Sequence, residues 1–178
     1  MVRQLQMLRS GLERLPDPLV PAGYALRTWL PGDEQAWANI MNSGIGADWT
    51  AAKVAELFST RPQFSPHAVF FTTQAGQPVG TAAAWRLPET ETRQGYVHMV
   101  CVLPQHRGKG LGYLVTLATL HWFKQHHFES VLLETDDWRL AAIRTYLQLG
   151  FTPRYDAGDA EMAERWQKVM GMLSSTST

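Results

Sequence analysis

Cysteine is almost missing from this chain: Cys101 stands alone among 178 residues. One thiol excludes an internal disulfide framework and a zinc site built from cysteines, and it makes a reducing compartment the default. An excess of charge of one sign is missing too. Sixteen Lys and Arg face sixteen Asp and Glu, for a formal net charge of zero, so binding of nucleic acid by bulk charge has no basis. Apolar stretches such as HMVCVLP and VLL stay short, against the roughly 20 residues that a membrane-spanning helix needs. The opening MVRQLQMLRSGLERLP has no uninterrupted apolar core and no small-residue cleavage pattern, unlike a secretory signal. These absences predict a cytoplasmic protein without nucleic-acid or membrane partners.

What is present predicts a globular fold. Hydrophobic residues make up 45% and charged residues 18% of the chain, which is the composition of a packed domain rather than a disordered one. The length suits one domain, and no repeat or linker divides it. Leu5, Leu8, Leu12 and Leu15 fall at helical spacing, interrupted by Gly11 and ended by prolines at 16, 18 and 21. Residues 1–20 therefore read as a short docked lead-in, 21–173 as a single domain, and 174–178 as a flexible tail.

Tyr24 to Leu30 reads as a strand, followed by a helix capped by Asp33 that presents Trp37, Ile40 and Met41. A break at 43–46 leads to a second helix from Thr50. Residues 67–73 and 79–86 form a hairpin and 87–95 a polar loop. The second half alternates: strand GYVHMVCV, a long apolar helix from Leu111, strand VLLET, and a helix with Leu140, Ile143 and Leu147 on one face, closed by Gly150. A short strand (151–155) follows, then a helix over 159–173 with Met162, Trp166, Val169 and Leu173 in register. The expected architecture is α/β: antiparallel strands first, then β-α-β-α-β, around one mixed sheet flanked by helices.

The chemistry concentrates in VCVLPQHRGKGLG, residues 100–112. A strand stops at Pro104, and glycines at 108, 110 and 112 precede a helix. Glycine admits positive φ and close ligand approach. The first helical turn offers unpaired N–H groups with partial positive charge, and Arg107 and Lys109 add full charges. That is an anion site suited to phosphate or pyrophosphate. The spacing fits neither a P-loop nor the GxGxxG dinucleotide fingerprint. The alternative is a tight strand-to-helix turn with no ligand.

Arg107-Gly108-Lys109-Gly110-Leu111-Gly112 resembles the Q/R-x-x-G-x-G/A motif of the GNAT superfamily of acyl-CoA-dependent N-acyltransferases. Downstream, AAIRTYLQLGF is similar to that family's A-I-x-x-Y-x-x-x-G-F run. The resemblance covers about residues 78–155. It implies a mostly antiparallel sheet with a splayed parallel strand pair (95–103 and 130–135), between which the pantetheine arm of acetyl-CoA inserts. Main-chain groups at Val100, Cys101 and Val102 would then pair with the arm, and the amides of Arg107, Gly108, Lys109, Gly110, Leu111 and Gly112 would hold the pyrophosphate. One strand N–H would polarise the thioester carbonyl.

By the same resemblance Tyr146 is the general acid for the leaving thiolate. As a residue alone it reads rather as a packed aromatic on an amphipathic helix, one turn from Ile143. Tyr96 stands where some relatives carry a glutamate, so the base is open among His98, Glu134 and Asp136, with His98 alternatively a core histidine. Arg139 stands where many relatives carry an asparagine. Cys101 reads as a buried thiol, and Trp49 and Trp85 as cleft aromatics or core. His121, His126 and His127 lack metal-site spacing, and no GxSxG elbow is present. The implied activity moves an acetyl group from acetyl-CoA to a small-molecule or peptide amine, without metal, in a chain compatible with a homodimer. A non-catalytic CoA-binding sensor or scaffold is the alternative.

Overall fold

A computed structural model describes residues 3–86 and 93–175. In chain order the elements are β1 (Leu5–Ser10), β2 (Tyr24–Thr28), α1 (Glu34–Asn42), α2 (Ala51–Val54), β3 (Val69–Gln74), β4 (Gln77–Arg86), β5 (Gln94–Val102), α3 (Leu111–Gln125), β6 (Ser130–Thr135), α4 (Leu140–Gln148), β7 (Thr152–Arg154) and α5 (Ala160–Ser175). The seven strands form one sheet in the order β2-β3-β4-β5-β6-β1-β7. Every neighbouring pair is antiparallel except β5 and β6. The mixed sheet flanked by helices is the architecture the sequence predicted.

The N-terminal segment departs from that reading. Residues 5–10 are not helical: β1 enters the sheet between β6 and β7, with Leu5 opposite Thr135 and Met7 opposite both Leu133 and Pro153. Leu5 and Met7 are fully buried while Gln6 between them is not. This period of two governs the segment, and the leucines at 5, 8, 12 and 15 only imitate a helical stripe. At the other end α5 buries Met162, Trp166, Val169 and Leu173, as their spacing requires, and continues through Ser175. The helix thus takes in two residues of the expected tail.

Two cores flank the sheet. On one face α3, α4 and α5 pack over Leu5, Met7, Val97, Val131 and Leu133. α3 is buried almost all round, from Leu111 to Phe123, which explains its broad apolar composition. On the other face α1 and α2 cover the β3–β5 half through Trp37, Ile40, Val54 and Phe58. There, Glu134 on β6 is exposed.

The start of α1 also differs from expectation. Asp33 precedes α1 but makes no side-chain cap. Its carboxylate instead takes both guanidinium nitrogens of Arg27, at 2.6 and 2.9 Å, and the Leu30 amide at 2.7 Å. Neither Asp136 nor Asp137 caps α4, whose N-cap is Arg139. They pair with Arg139 and Arg165. Thr50 does cap α2, accepting from the Lys53 amide at 3.2 Å, and α2 runs on as a π-helical turn, Ala55–Ser59.

Where β5 meets α3, Gly95 leaves no room for a side chain: a Cβ there would lie 2.3 Å from the Phe123 ring. Gly95→Ala is expected to destabilise the fold by about 1–3 kcal/mol through overpacking, read as a lower urea midpoint with an unchanged m-value.

Candidate functional site

β5 and β6 are hydrogen-bonded only at their beginnings, Gln94–Tyr96 against Ser130–Leu132. Past Tyr96 they part. At that point β5 carries a bulge: Ala83 faces His98 and Thr81 faces Cys101, so Ala82 opposes both Met99 and Val100. Met99 takes a φ of 54° there. A bulge bends its strand and re-aims the following side chains. As a result His98 and Cys101, three residues apart, both look toward the α1 layer.

The parted strands border an open cleft of 870 Å³, lined by Val100, Cys101 and Val102, by the turn before α3 and by one side of α4. The glycine turn behaves as its composition predicts. Gly108 and Gly110 have φ of 74° and 75°, and Gly110 is the left-handed N-cap of α3. The first amide bonded within this stretch is that of Leu114, to the Gly110 carbonyl. Among the described residues the amides of 108–113 have no protein acceptor. Six successive donors at the positive end of a long helix form an anion cradle made of backbone.

The two cations of the turn are already engaged. Arg107 donates through Nε to the Val102 carbonyl at 3.0 Å and through Nη2 to the Ser43 carbonyl at 3.3 Å. Lys109 donates to the Tyr24 hydroxyl at 3.0 Å and lies over that ring. Both side chains therefore brace the turn, and the amides are left for a ligand.

Tyr146 is buried against Phe151, and its hydroxyl has no protein partner among the described residues. It borders the cleft with Cys101 and Arg139. Burial pushes its phenol above the usual range, Arg139 pulls it down and Cys101 adds to the rise. A phenol in this setting keeps its proton at neutral pH. Cys101 donates to the Ile40 carbonyl at 3.3 Å, and burial raises its thiol, which the sequence read as inert.

His98 and Glu134 lie on the sheet face opposite α3. His98 stacks among Trp85, Tyr96 and Phe58, with centroids 5.3, 5.6 and 6.4 Å away. Burial pushes its imidazole down to about 4, against an opposing pull from Glu134. Glu134 accepts from the Tyr96 hydroxyl at 3.2 Å and from Gln6 Nε2 at 2.9 Å. Tyr96 therefore stays protonated, held up by burial and by that carboxylate. Asp136, the third candidate base, is taken by Arg139 at 2.9 Å and Gln4 at 3.0 Å.

Gln4 and Gln6 are not singled out by the sequence, in which residues 1–20 read only as a docked lead-in with leucines at helical spacing. The alternation Gln4-Leu5-Gln6-Met7 was the available signal. Trp85 stacks on Phe58 at 5.0 Å, and Trp49 meets Trp37 edge-on at 5.2 Å. Both are half-buried and pack against the core on the α1 side of the sheet, and neither lines the cleft. Most of the expected polar loop, residues 87–92, lies outside the described residues. No helix among the described residues is long and apolar enough to cross a membrane.

A family model for the Acetyltransferase (GNAT) family matches residues 34–151. The mycothiol acetyltransferase of Thermobispora bispora is 36% identical over 157 residues, covering 83% of this chain and 52% of that protein. The mycothiol acetyltransferase of Frankia casuarinae is 34% identical over 167 residues, covering 84% and 48%. The chain spans about half the length of the curated relatives it matches. A GCN5-related N-acetyltransferase from Sphaerobacter thermophilus superposes with a TM-score of 0.67 at 20% identity, over 85% of this chain and 50% of that one. That likeness concerns the fold.

The low imidazole pKa has a consequence for stability. The folded chain keeps His98 neutral down to about pH 4, whereas an ordinary histidine takes its proton near 6.5. Across that window the unfolded state binds more protons, so stability falls as the pH drops from about 6.5 to about 4. In His98→Gln this part of the slope is expected to vanish, as measured by urea midpoints over a pH series.

Proposed function

Since the chain belongs to the Acetyltransferase (GNAT) family, we propose that it moves an acetyl group from acetyl-CoA to a primary amine, by direct attack in a ternary complex. The observation that carries this reading is the run of unpartnered amides at 108–113 beside a gap in the sheet. The donor set suits a pyrophosphate, because backbone N–H groups aimed from a helix start bind such a group without a neutralising side chain. Acetyl-CoA supplies the activated acyl group; the chain supplies the rest.

The edge of β5 beyond Tyr96, around Val100 to Val102, has no strand partner toward β6. It is free to hydrogen-bond the amides of an extended arm, in the manner of strand addition. One of its N–H groups then serves the thioester carbonyl as an oxyanion-hole donor. Tyr146, protonated and unpartnered, gives its proton to the departing sulfur. On the other face, Glu134 attracts the ammonium of the acceptor. His98, neutral at working pH, accepts the proton that the amine loses on attack and passes it on toward Glu134 and water.

The relatives named mycothiol acetyltransferase suggest a mycothiol-related amine as the acceptor. The half-buried aromatics and the exposed carboxylate beside the gap are compatible with a polar, cationic substrate.

Tyr146→Phe tests the assignment. The variant is expected to lose about 10²- to 10⁴-fold in turnover while its thermal shift with acetyl-CoA stays that of the wild type. For wild type, ligand at 100 times its Kd stabilises by about 2.7 kcal/mol. A protein that binds acetyl-CoA and transfers nothing to any amine of an acceptor panel is a sensor, and turnover indifferent to Tyr146→Phe removes the general-acid role.

A further inference from the structure

The end of α1 is held from three other elements. No basic residue occupies its last turn, and its terminal carbonyls take donors from across the cleft. Cys101 on β5 donates to the Ile40 carbonyl at 3.3 Å. Arg107, in the turn after β5, donates to the Ser43 carbonyl at 3.3 Å. Arg139, in the turn after β6, donates to the Gly44 carbonyl at 2.7 Å. Ser43 and Gly44 are thus tied to the ends of both strands that part, and they line the same cleft as Val102 and Tyr146.

Arg139 is built for this span. Its Nε is fixed by Asp136 at 2.9 Å, and its guanidinium lies over Trp138, 4.3 Å from the ring centroid. The planar fork loses little freedom when it makes a second bond. The tip of α1 is itself tight: a Cβ on Gly44 would lie 3.2 Å from both Arg107 Nη2 and Cys101 Sγ. Asn42 closes the following loop with two bonds to the Trp49 backbone, each 2.9 Å. An asparagine in place of Arg139 is too short to bridge to Gly44.

We infer that Arg139, with Arg107, is a positioning residue that straps the α1 tip over the gap and shields the bound acyl group from water. The inference rests on the acetyl-transfer reading. The reaction it suppresses is hydrolysis: a water oxygen bonds to the acyl carbon, the carbon–sulfur bond breaks, and the sulfur leaves with a proton, giving acetate and free CoA.

The test compares wild type with Arg139→Gln, Arg139→Lys and, as an independent disturbance of the tip, Gly44→Ala. In the free protein, hydrogen exchange over residues 43–49 is expected to quicken in Arg139→Gln and Gly44→Ala while β5 and α3 keep wild-type protection. With acetyl-CoA and no amine, the rate of thiol release is expected to rise about tenfold in both, the equivalent of one charge-assisted hydrogen bond. Arg139→Lys, which keeps a cationic donor, recovers part of the loss. Unchanged exchange, or unchanged thiol release in variants that bind acetyl-CoA, overturns the strap and leaves the transfer reading standing. A wild type that binds no acetyl-CoA overturns both.

Discussion

The parting of β5 from β6 is the constraint on which the rest of the molecule depends. A parallel pair deep in a sheet normally satisfies its backbone along its whole length. Here the ladder lasts three residues a side and then stops, although both strands continue. The separation is maintained by what lies around it. α3 and α4 pack on one face, the α1 layer on the other, and the bulge at Met99 marks the point where β5 turns away. The opening is therefore a feature of the packed scaffold, and the polar groups it leaves unpaired are ones that an extended, amide-bearing ligand can satisfy.

The environments of the ionisable groups follow from this architecture. Burial is the largest influence on the perturbed groups Tyr96, His98, Cys101 and Tyr146. It pushes the Tyr146 phenol up and the His98 imidazole down to about 4. Both shifts favour the neutral form at working pH. A shared low-dielectric setting thus keeps both groups uncharged against the opposing pulls of Arg139 on Tyr146 and of Glu134 on His98. The cations nearby are occupied in bracing backbone: Arg107 and Arg139 hold carbonyls, and Lys109 holds Tyr24.

Much of this was legible in the sequence, and the remainder was hidden for physical reasons. The glycine turn, the long helix after it and the Tyr146 helix could be read because each rests on local chemistry: positive φ at Gly108 and Gly110, an apolar stripe, and a glycine closing α4 at a φ of 80°. β1 could not, because four leucines at helical intervals outweighed a six-residue alternation whose partners, β6 and β7, lie more than a hundred residues away. With the strand went Gln4 and Gln6, and with them the orientation of Asp136 and Glu134. Arg139 was recognisable as a departure from the family pattern. Its bond to Gly44, 95 residues away in sequence, exists only in the fold.

The position of His98 illustrates how such long-range packing decides chemistry. Its ring belongs to an aromatic cluster that extends from Trp37 on α1 to Tyr96 on β5. The cluster passes through Phe58 at 4.6 Å, in the π-helical turn after α2, and then Trp85 on β4. A π-turn adds a residue to the helical circuit and is often found at functional sites. Here it brings Phe58 between two tryptophans rather than to the surface. The imidazole is desolvated because that cluster is complete, and it faces the Glu134 side because it lies two residues after Tyr96, on the same face of β5 and before the bulge. Neither condition belongs to the histidine, so its lowered imidazole pKa is a property of α1, the turn after α2 and β4 as much as of the strand that carries it.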